Sequence, residues 1–278
     1  MINQPDKILG LKTRKQLIKN KRYWSERAAD NQIKITERGI KATELQLKAY
    51  YSNTQKKLIG QFEQIYNKVL SSIEEGREPT PADLYKLDGY WQMQGEVTKE
   101  LQKLGDKQAA LLNRNFVTQW QNIYDALAIK GEKTFSTVDK SLVQQMINQI
   151  WCTDGKSWSS RVWTNTERLR ETLNEQLIHC VASGKSTNEL KNLLQQRFKV
   201  SYTAADSIVR TEMAHIQTQA AKKRYEDYGV EQVEILADED ERRCKICGKL
   251  HEKRYPIGAE VPIPAHPRCR CCIVPVVE

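Results

Sequence analysis

Apolar residues recur at three-, four- and seven-residue spacings along most of this chain, and the pattern changes only near its end. Tyr51, Leu58, Phe62, Ile65, Val69 and Ile73 mark one face of a long helix that the spacing carries to about Glu75. Gly76 and Pro79-Thr80-Pro81 break it, because proline has no amide donor and restricts the residue before it; a second helical segment is predicted from about Ala82. Val97, Leu101 and Leu104 open another face, and Trp120, Ile123, Tyr124 and Leu127 continue helical spacing up to Gly131. Leu142, Met146 and Ile150 form a stripe of their own. The Asp154-Gly155-Lys156-Ser157 turn precedes a helix in which Leu169, Leu173 and Leu177 repeat, ending near Gly184. Ser186-Thr187-Asn188-Glu189 has the form of a capping box and predicts a short helix through Phe198. A last helix is predicted from about Tyr202 to Tyr228, with Ala205, Ile208, Val209 and Ile216 inward and Gly229 as its stop.

After Gly229 the texture becomes β-like: Val233 to Leu236, Arg254 to Pro256 and Ile273 to Val277 are short apolar or β-branched pieces between turn residues. Five of the seven cysteines also fall here, between Cys244 and Cys272. No secretory leader is expected from Met1 to Leu11, and no segment has the eighteen or so uninterrupted apolar residues of a membrane span. The cysteines are therefore expected in a reducing compartment, where such clusters mean metal or catalysis more often than disulfides.

Cys244-Lys245-Ile246-Cys247 lets two thiolates converge from one tight turn, and His266-Pro267-Arg268-Cys269 supplies a second pair. Two short-spaced pairs joined by a longer loop close a tetrahedral site, and three cysteines with one histidine suit Zn²⁺. Cys271 is the alternative fourth ligand, Cys272 a weaker rival because neighbouring strand residues face opposite sides, and His251 ranks below His266. A redox dithiol would sit near a βαβ pattern, which is absent, and a hydrolytic zinc would need an open position and a base. The expected ion is thus structural, and its binding should supply much of the folding energy of the small segment that follows Val230. Arg242, Arg243, Lys245, Arg268 and Arg270 flank the ligands, either to offset the thiolate charge or to face phosphates. The fold class predicted is mainly α: an elongated multi-helix body followed by a small C-terminal zinc-stabilised α+β module.

Charge adds one further expectation. Lys and Arg total 44 against 35 Asp and Glu, a formal net charge of +9 over 278 residues, which favours contact with polyanions. The excess gathers in a basic arm, residues 1–27, where Lys12, Arg14, Lys15, Lys19, Lys21 and Arg22 are candidate phosphate contacts; the plainer alternative is a solvated end.

Ile208-Val209-Arg210-Thr211-Glu212, then Tyr228-Gly229-Val230, Asp238, Cys244-Lys245-Ile246-Cys247 and His266-Pro267-Arg268-Cys269-Arg270-Cys271, taken in order, resemble the Mu F-like head morphogenesis, or minor head protein, family of tailed phages. Trp158 to Thr203, with Gly184-Lys185-Ser186, and Tyr23-Trp24-Ser25-Glu26-Arg27 also look like members from phages of Gram-positive hosts. Pro264-Ala265 departs from a Pro-Pro step common in the family, and Cys272 is an extra cysteine. The resemblance implies a helical body over 28–200 and a Mu F-like C-terminal domain over 201–278, with Arg210, Thr211, Glu212 and Asp238 as its structural motif. It implies a minor capsid component without catalytic activity, partnered by the portal protein and other procapsid proteins and touching packaged double-stranded DNA. It would reside in the host cytoplasm during assembly and afterwards in the virion, at the capsid interior or portal vertex. Arg210 and Glu212 lie about 200° apart on a helix, so they must meet different partners, one toward the helical body and one bracing the zinc module through Asp238 or the Cys-loop backbone. The competing functions are a zinc-containing nucleic-acid-binding protein and a zinc nuclease using His251 or His266 with Asp238 or Glu239. The first lacks a recognition-helix pattern and the second needs an open coordination position.

Overall fold

The structure is a computed structural model, and it describes residues 14–71, 80, 82–83, 88–128, 138–183, 185–237 and 243–276. Among the described residues six helices precede or interrupt a small sheet: α1 (Arg14–Ser71), α2 (Gly89–Ala126), α3 (Lys140–Asn148), α4 (Trp158–Ala182), α5 (Thr187–Asp227) and α6 (Lys245–Leu250). The strands are β1 (Gln232–Leu236), β2 (Arg254–Pro256) and β3 (Cys272–Pro275). The fold is mainly helical with a small C-terminal strand region. Among the described residues no helix is long and apolar enough to cross a membrane.

Several boundaries differ from those the sequence predicts, for identifiable reasons. Helix α1 already begins at Arg14, within the stretch predicted as an arm, because lysine and arginine are good helix formers and neither glycine nor proline follows until Gly39. Ser186 and Glu189 do make the reciprocal capping bonds: the Glu189 carboxylate accepts from Ser186 N–H at 2.9 Å, and Ser186 Oγ accepts from Glu189 N–H at 3.4 Å. The helix they open, however, does not stop at Phe198 but runs on to Asp227. Lys199-Val200-Ser201 contains no helix breaker, and Ser201 is buried at the centre of a polar hub, so packing favours continuity there. In α3 the buried pair is Val143 and Ile147, whereas Leu142 is 38% and Ile150 57% exposed. Two apolar stripes about 100° apart compete on that short helix, and Ile150 lies beyond its end.

The chain divides into two compact units. One comprises residues 42–113 and 150–209. Its core includes Leu58, Phe62, Val97, Leu101, Leu104, Leu173 and Leu177, in agreement with the helical spacing of those residues. Tyr51 is its polar hub, with its hydroxyl donating to Gln108 Oε1 at 3.3 Å, accepting from Asn165 Nδ2 at 3.1 Å and lying 3.3 Å from Ser201 Oγ. Burial pushes that phenol up to about 12, so it remains a neutral hydrogen-bonding group. Glu100, only 5% exposed, is held by Lys57 and Lys103 at 2.9 Å each. Burial works against its charge, but the two ammonium groups outweigh that and keep the carboxyl below its ordinary range.

The other unit comprises residues 1–41, 114–149 and 210–278 and carries the sheet. Central β1 pairs antiparallel with β2 on one side and β3 on the other, in register Glu234↔Arg254 and Glu234↔Val274. Val233 and Ile235 alternate inward along β1, while Glu234 points outward to accept from Arg254 Nε at 2.9 Å. Strand β3 is buried on both faces: Cys272 and Val274 pack against Ala29 of α1. Beside them the fully buried Gln32 donates through Nε2 to Ile273 O at 2.8 Å and to the Tyr225 hydroxyl at 3.2 Å. Within the same unit Arg224 donates to Tyr124 O at 2.7 Å, with its guanidinium 3.6 Å from the centre of the Tyr124 ring. Gly39 leaves room for Gln119, which donates to Thr36 Oγ1 at 2.8 Å; a Cβ at Gly39 would stand 2.4 Å from Gln119 Oε1.

Two outcomes follow from these buried groups. Gln32→Ala leaves the Ile273 carbonyl without its short donor and should lower the stability of the sheet-bearing unit by about 2 kcal/mol in urea unfolding. His215, buried on α5, has its basicity pushed down to about 3 by burial, so the folded ring is neutral where the unfolded ring, titrating near 6.5, takes a proton. The unfolded state therefore binds more protons below that pH, and stability should fall by roughly 1.4 kcal/mol per unit as pH drops from 6.5 to 5. With metal kept saturating, the His215→Gln variant should show a shallower loss in the same titration.

Candidate metal centre

The first ligand pair is built by a helix start. Cys244 caps α6: its Sγ accepts from the Cys247 N–H at 3.3 Å, and its carbonyl accepts from Gly248 N–H at 2.9 Å. One turn of helix thus returns Cys247 over Cys244, and Ile246 between them stays 55% exposed. The second pair comes from the loop before β3. Cys269 N–H donates to His266 O at 3.2 Å, and Arg268 between them takes a positive φ of 63°. That conformation is uncommon for a residue with a Cβ and costs about 1 kcal/mol or more. Arg268 N–H donates to Thr211 Oγ1 of α5 at 3.1 Å, which ties this strained turn to the helix.

His266 is oriented through its other nitrogen. Nδ1 lies 2.8 Å from Pro267 O, a group that can only accept, so Nδ1 carries the proton and the neutral ring presents the Nε2 lone pair. Nε2 stands 3.2 Å from Cys244 Sγ and 3.1 Å from Cys247 Sγ. Cys247 Sγ in turn lies 3.8 Å from Cys269 Sγ. Zinc–sulfur bonds of about 2.3 Å at tetrahedral angles separate two sulfurs by about 3.8 Å, so this edge fits such an ion. The donors form two overlapping groups, Cys244-Cys247-His266 and Cys247-Cys269-Cys271, each with its ligand atoms within 4.8 Å of one another. These clusters could hold a metal ion.

The protonation pattern shows why a cation suits them. A hydrogen bond from Cys271, helped by backbone donors, pulls Cys269 down to about 5 against its burial. Burial pushes Cys247 up to about 12, and the Cys269 thiolate together with burial drives Cys271 upward. Cys244 is lowered, first by the Cys247 backbone N–H. Burial disfavours a charged His266, but the Pro267 carbonyl and the neighbouring sulfurs outweigh it and raise the ring above its ordinary value. The packed sulfurs therefore cannot all ionise together without a compensating positive charge, which a divalent cation supplies.

Other sequence candidates fall elsewhere. Cys272 faces the core beside Ala29 and Val274, opposite to a ligand position, as strand alternation requires. His251 uses Nδ1 to accept from Ala237 N–H at 3.2 Å, closing the end of β1. His179 is exposed on α4, with Nδ1 3.3 Å from Ser183 Oγ. Asp238, Glu239, Arg242 and Lys12 lie outside the described residues, as do the side chains of Arg14, Lys15, Lys19, Lys21 and Arg22. Of the Arg210-Thr211-Glu212 motif, Glu212 is buried and Arg210 half-buried, yet the bond described to the Cys-loop backbone comes from the threonine between them. The charged pair drew the expectation because only its members carry charge; a hydroxyl aimed at a backbone amide 57 residues away has no periodic signature. Gln32 was missed for the same reason, since one glutamine on a polar helix stretch looks solvated.

Thr211→Val removes the acceptor but keeps the shape. It should weaken cobalt or zinc affinity by about 10-fold, a loss typical of groups that orient ligands, while Thr211→Ser should retain most of it. Competition with a chromophoric chelator measures both.

Comparison with known proteins agrees with this arrangement. Residues 171–274 match the family described as Phage Mu protein F like protein. No curated protein and no solved structure matches the chain. The matched span contains α5 with its Arg-Thr-Glu motif, β1, β2, all but the last residue of β3 and every residue of both donor groups. Residues 171–274 are thus similar to the Phage Mu protein F like family.

Proposed function

We propose that this chain is a minor head protein of a tailed phage, a structural and interaction component rather than an enzyme. The observation that carries the proposal is the junction of the Mu F-like match with the Cys/His cluster: Thr211 of the family-type motif holds the loop that bears His266 and Cys269. The ion suited to these donors is Zn²⁺, coordinated by Cys244, Cys247, His266 and Cys269 with Cys271 beside them. Four protein donors leave no open position for a substrate or water, which makes the ion a structural clasp. It would fasten the 244–251 knuckle to the loop before β3, and β3 is the strand laid against Ala29 and Gln32. The protein would act in the host cytoplasm during assembly and remain in the virion, at the capsid interior or portal vertex. Its partners are the portal protein and other procapsid proteins. Double-stranded DNA is a further partner, favoured by the +9 net charge and the basic residues of the first helix.

Two measurements test this reading. Co-expression with the portal protein of the same phage should give a complex that survives size-exclusion chromatography; no complex, together with salt-dependent, sequence-selective DNA affinity, would favour a zinc-containing nucleic-acid-binding protein instead. Treatment with a strong chelator should open the chain to protease after about Val230 while leaving helical circular dichroism largely intact. Because β3 covers Ala29, hydrogen exchange should also rise around Ala29 and Gln32 in α1. Unchanged proteolysis would show that the ion is not a structural element.

A further inference from the structure

The two donor groups share one residue, and this carries a consequence beyond a fixed set of four ligands. Cys247 belongs to both; Cys244 and His266 occur only in the first, Cys269 and Cys271 only in the second. Cys247 stands 3.1 Å from His266 Nε2 and 3.8 Å from Cys269 Sγ, so it is the vertex through which either group reaches the other. The second group is composed of thiols alone, each no more than 5% exposed, whereas two members of the first are half-buried. The two groups thus place five donors about one shared thiol, where a tetrahedral ion takes four.

We propose that the centre binds a single thiophilic divalent ion with interchangeable outer ligands: Cys247 is always coordinated, His266 is a ligand in the wild type, and the remaining positions are filled from Cys244, Cys269 and Cys271, the spare thiol standing in when His266 or another cysteine is lost. The inference rests on the reading of this cluster as a metal site. Its physical basis is proximity. Cys269 and Cys271 both stand with Cys247, the vertex shared with Cys244 and His266, while Cys272 is turned away into the core, so either sulfur is a candidate to complete the group around that vertex. Conversely, if His266 leaves, Cys271 replaces a nitrogen with a sulfur. The ion then acquires a fourth thiolate, and the net charge of the site falls from −1 to −2. The exposed Arg268 and the half-buried Arg270 lie next to the exchanging ligands in the chain, where positive charge offsets that change.

The test uses the full-length chain and Co²⁺, whose thiolate charge-transfer band grows with the number of bound sulfurs and whose visible bands report tetrahedral geometry. Wild type should bind one equivalent with three sulfurs. His266→Ala should still bind one equivalent, with a stronger sulfur band, and Cys269→Ser and Cys271→Ser should each keep one equivalent with the wild-type band. Cys247→Ser, and the double variant Cys269→Ser/Cys271→Ser with His266→Ala added, should lose stoichiometric binding. X-ray absorption at the zinc edge gives an independent sulfur count on the same proteins. The proposal is overturned if His266→Ala binds no ion or shows an unchanged sulfur count, if Cys269→Ser alone abolishes binding in a chain that keeps its helical circular dichroism, or if wild type binds two equivalents. Absence of any Co²⁺ or Zn²⁺ binding by wild type would instead remove the metal-site reading itself, so the two failures are distinct. Should a cysteine variant fail to fold, the His266→Ala sulfur count alone decides.

Discussion

A buried amide holds the C-terminal sheet to the helical part of its unit. Gln32 on α1, with no exposed surface, donates to the Ile273 carbonyl, and Cys272 and Val274 on either side of that residue seat against Ala29. An edge strand only four residues long could not stay paired by backbone bonds alone in water. Laid against a long helix and hydrogen-bonded to it at the centre, it becomes a fixed rail. The donor-bearing loop runs directly into that rail, so the positions of Cys269 and Cys271 are set from the β3 end by α1 and from the other end by Thr211 of α5.

The donor cluster depends on this double anchorage because its own segment is poor in apolar material. Val233, Ile235 and Ile263 are buried there, and much of the remaining burial is cysteine. A metal ion in the donor cluster would share with helix contact the task that a larger hydrophobic core performs elsewhere. The positive φ at Arg268 belongs to the same economy of structure: a strained residue between two ligands persists because a helix hydroxyl and the turn bond from Cys269 both hold it. The polar hub at Tyr51 and the Glu100 ion triad play a comparable part in the other unit, where long helices must stay in register over many turns. Such buried polar groups add specificity more than stability, since each must find its partner for the helices to pack at all.

The Mu F-like match covers the end of α4 from residue 171, all of α5, the sheet up to Val274 and the cluster, and in this part of the chain helix, strand and donor residues are coupled. The ligand-bearing segments end in backbone bonds and core contacts, and the histidine ring is oriented by the carbonyl of its own neighbour.

Much was determined by local chemistry and so was legible in the sequence: helical class from periodicity, the capping box at Ser186, the three strands, and the paired Cys and His residues. Helix caps, turns and close-spaced ligand pairs involve residues a few positions apart, and their identities suffice to define them. What required the tertiary structure was everything decided by competition between equal local choices. Val143 and Ile147 rather than Leu142 and Ile150 face inward, and one helix spans Phe198 to Tyr202 where two were expected. Thr211 Oγ1 reaches the loop at Arg268, and Cys272 joins the core while Cys271 stays with the donor group. In each case both options satisfy the backbone and the periodic pattern. The free energy that separates them comes from contacts between residues tens to hundreds of positions apart, which no local window of sequence contains.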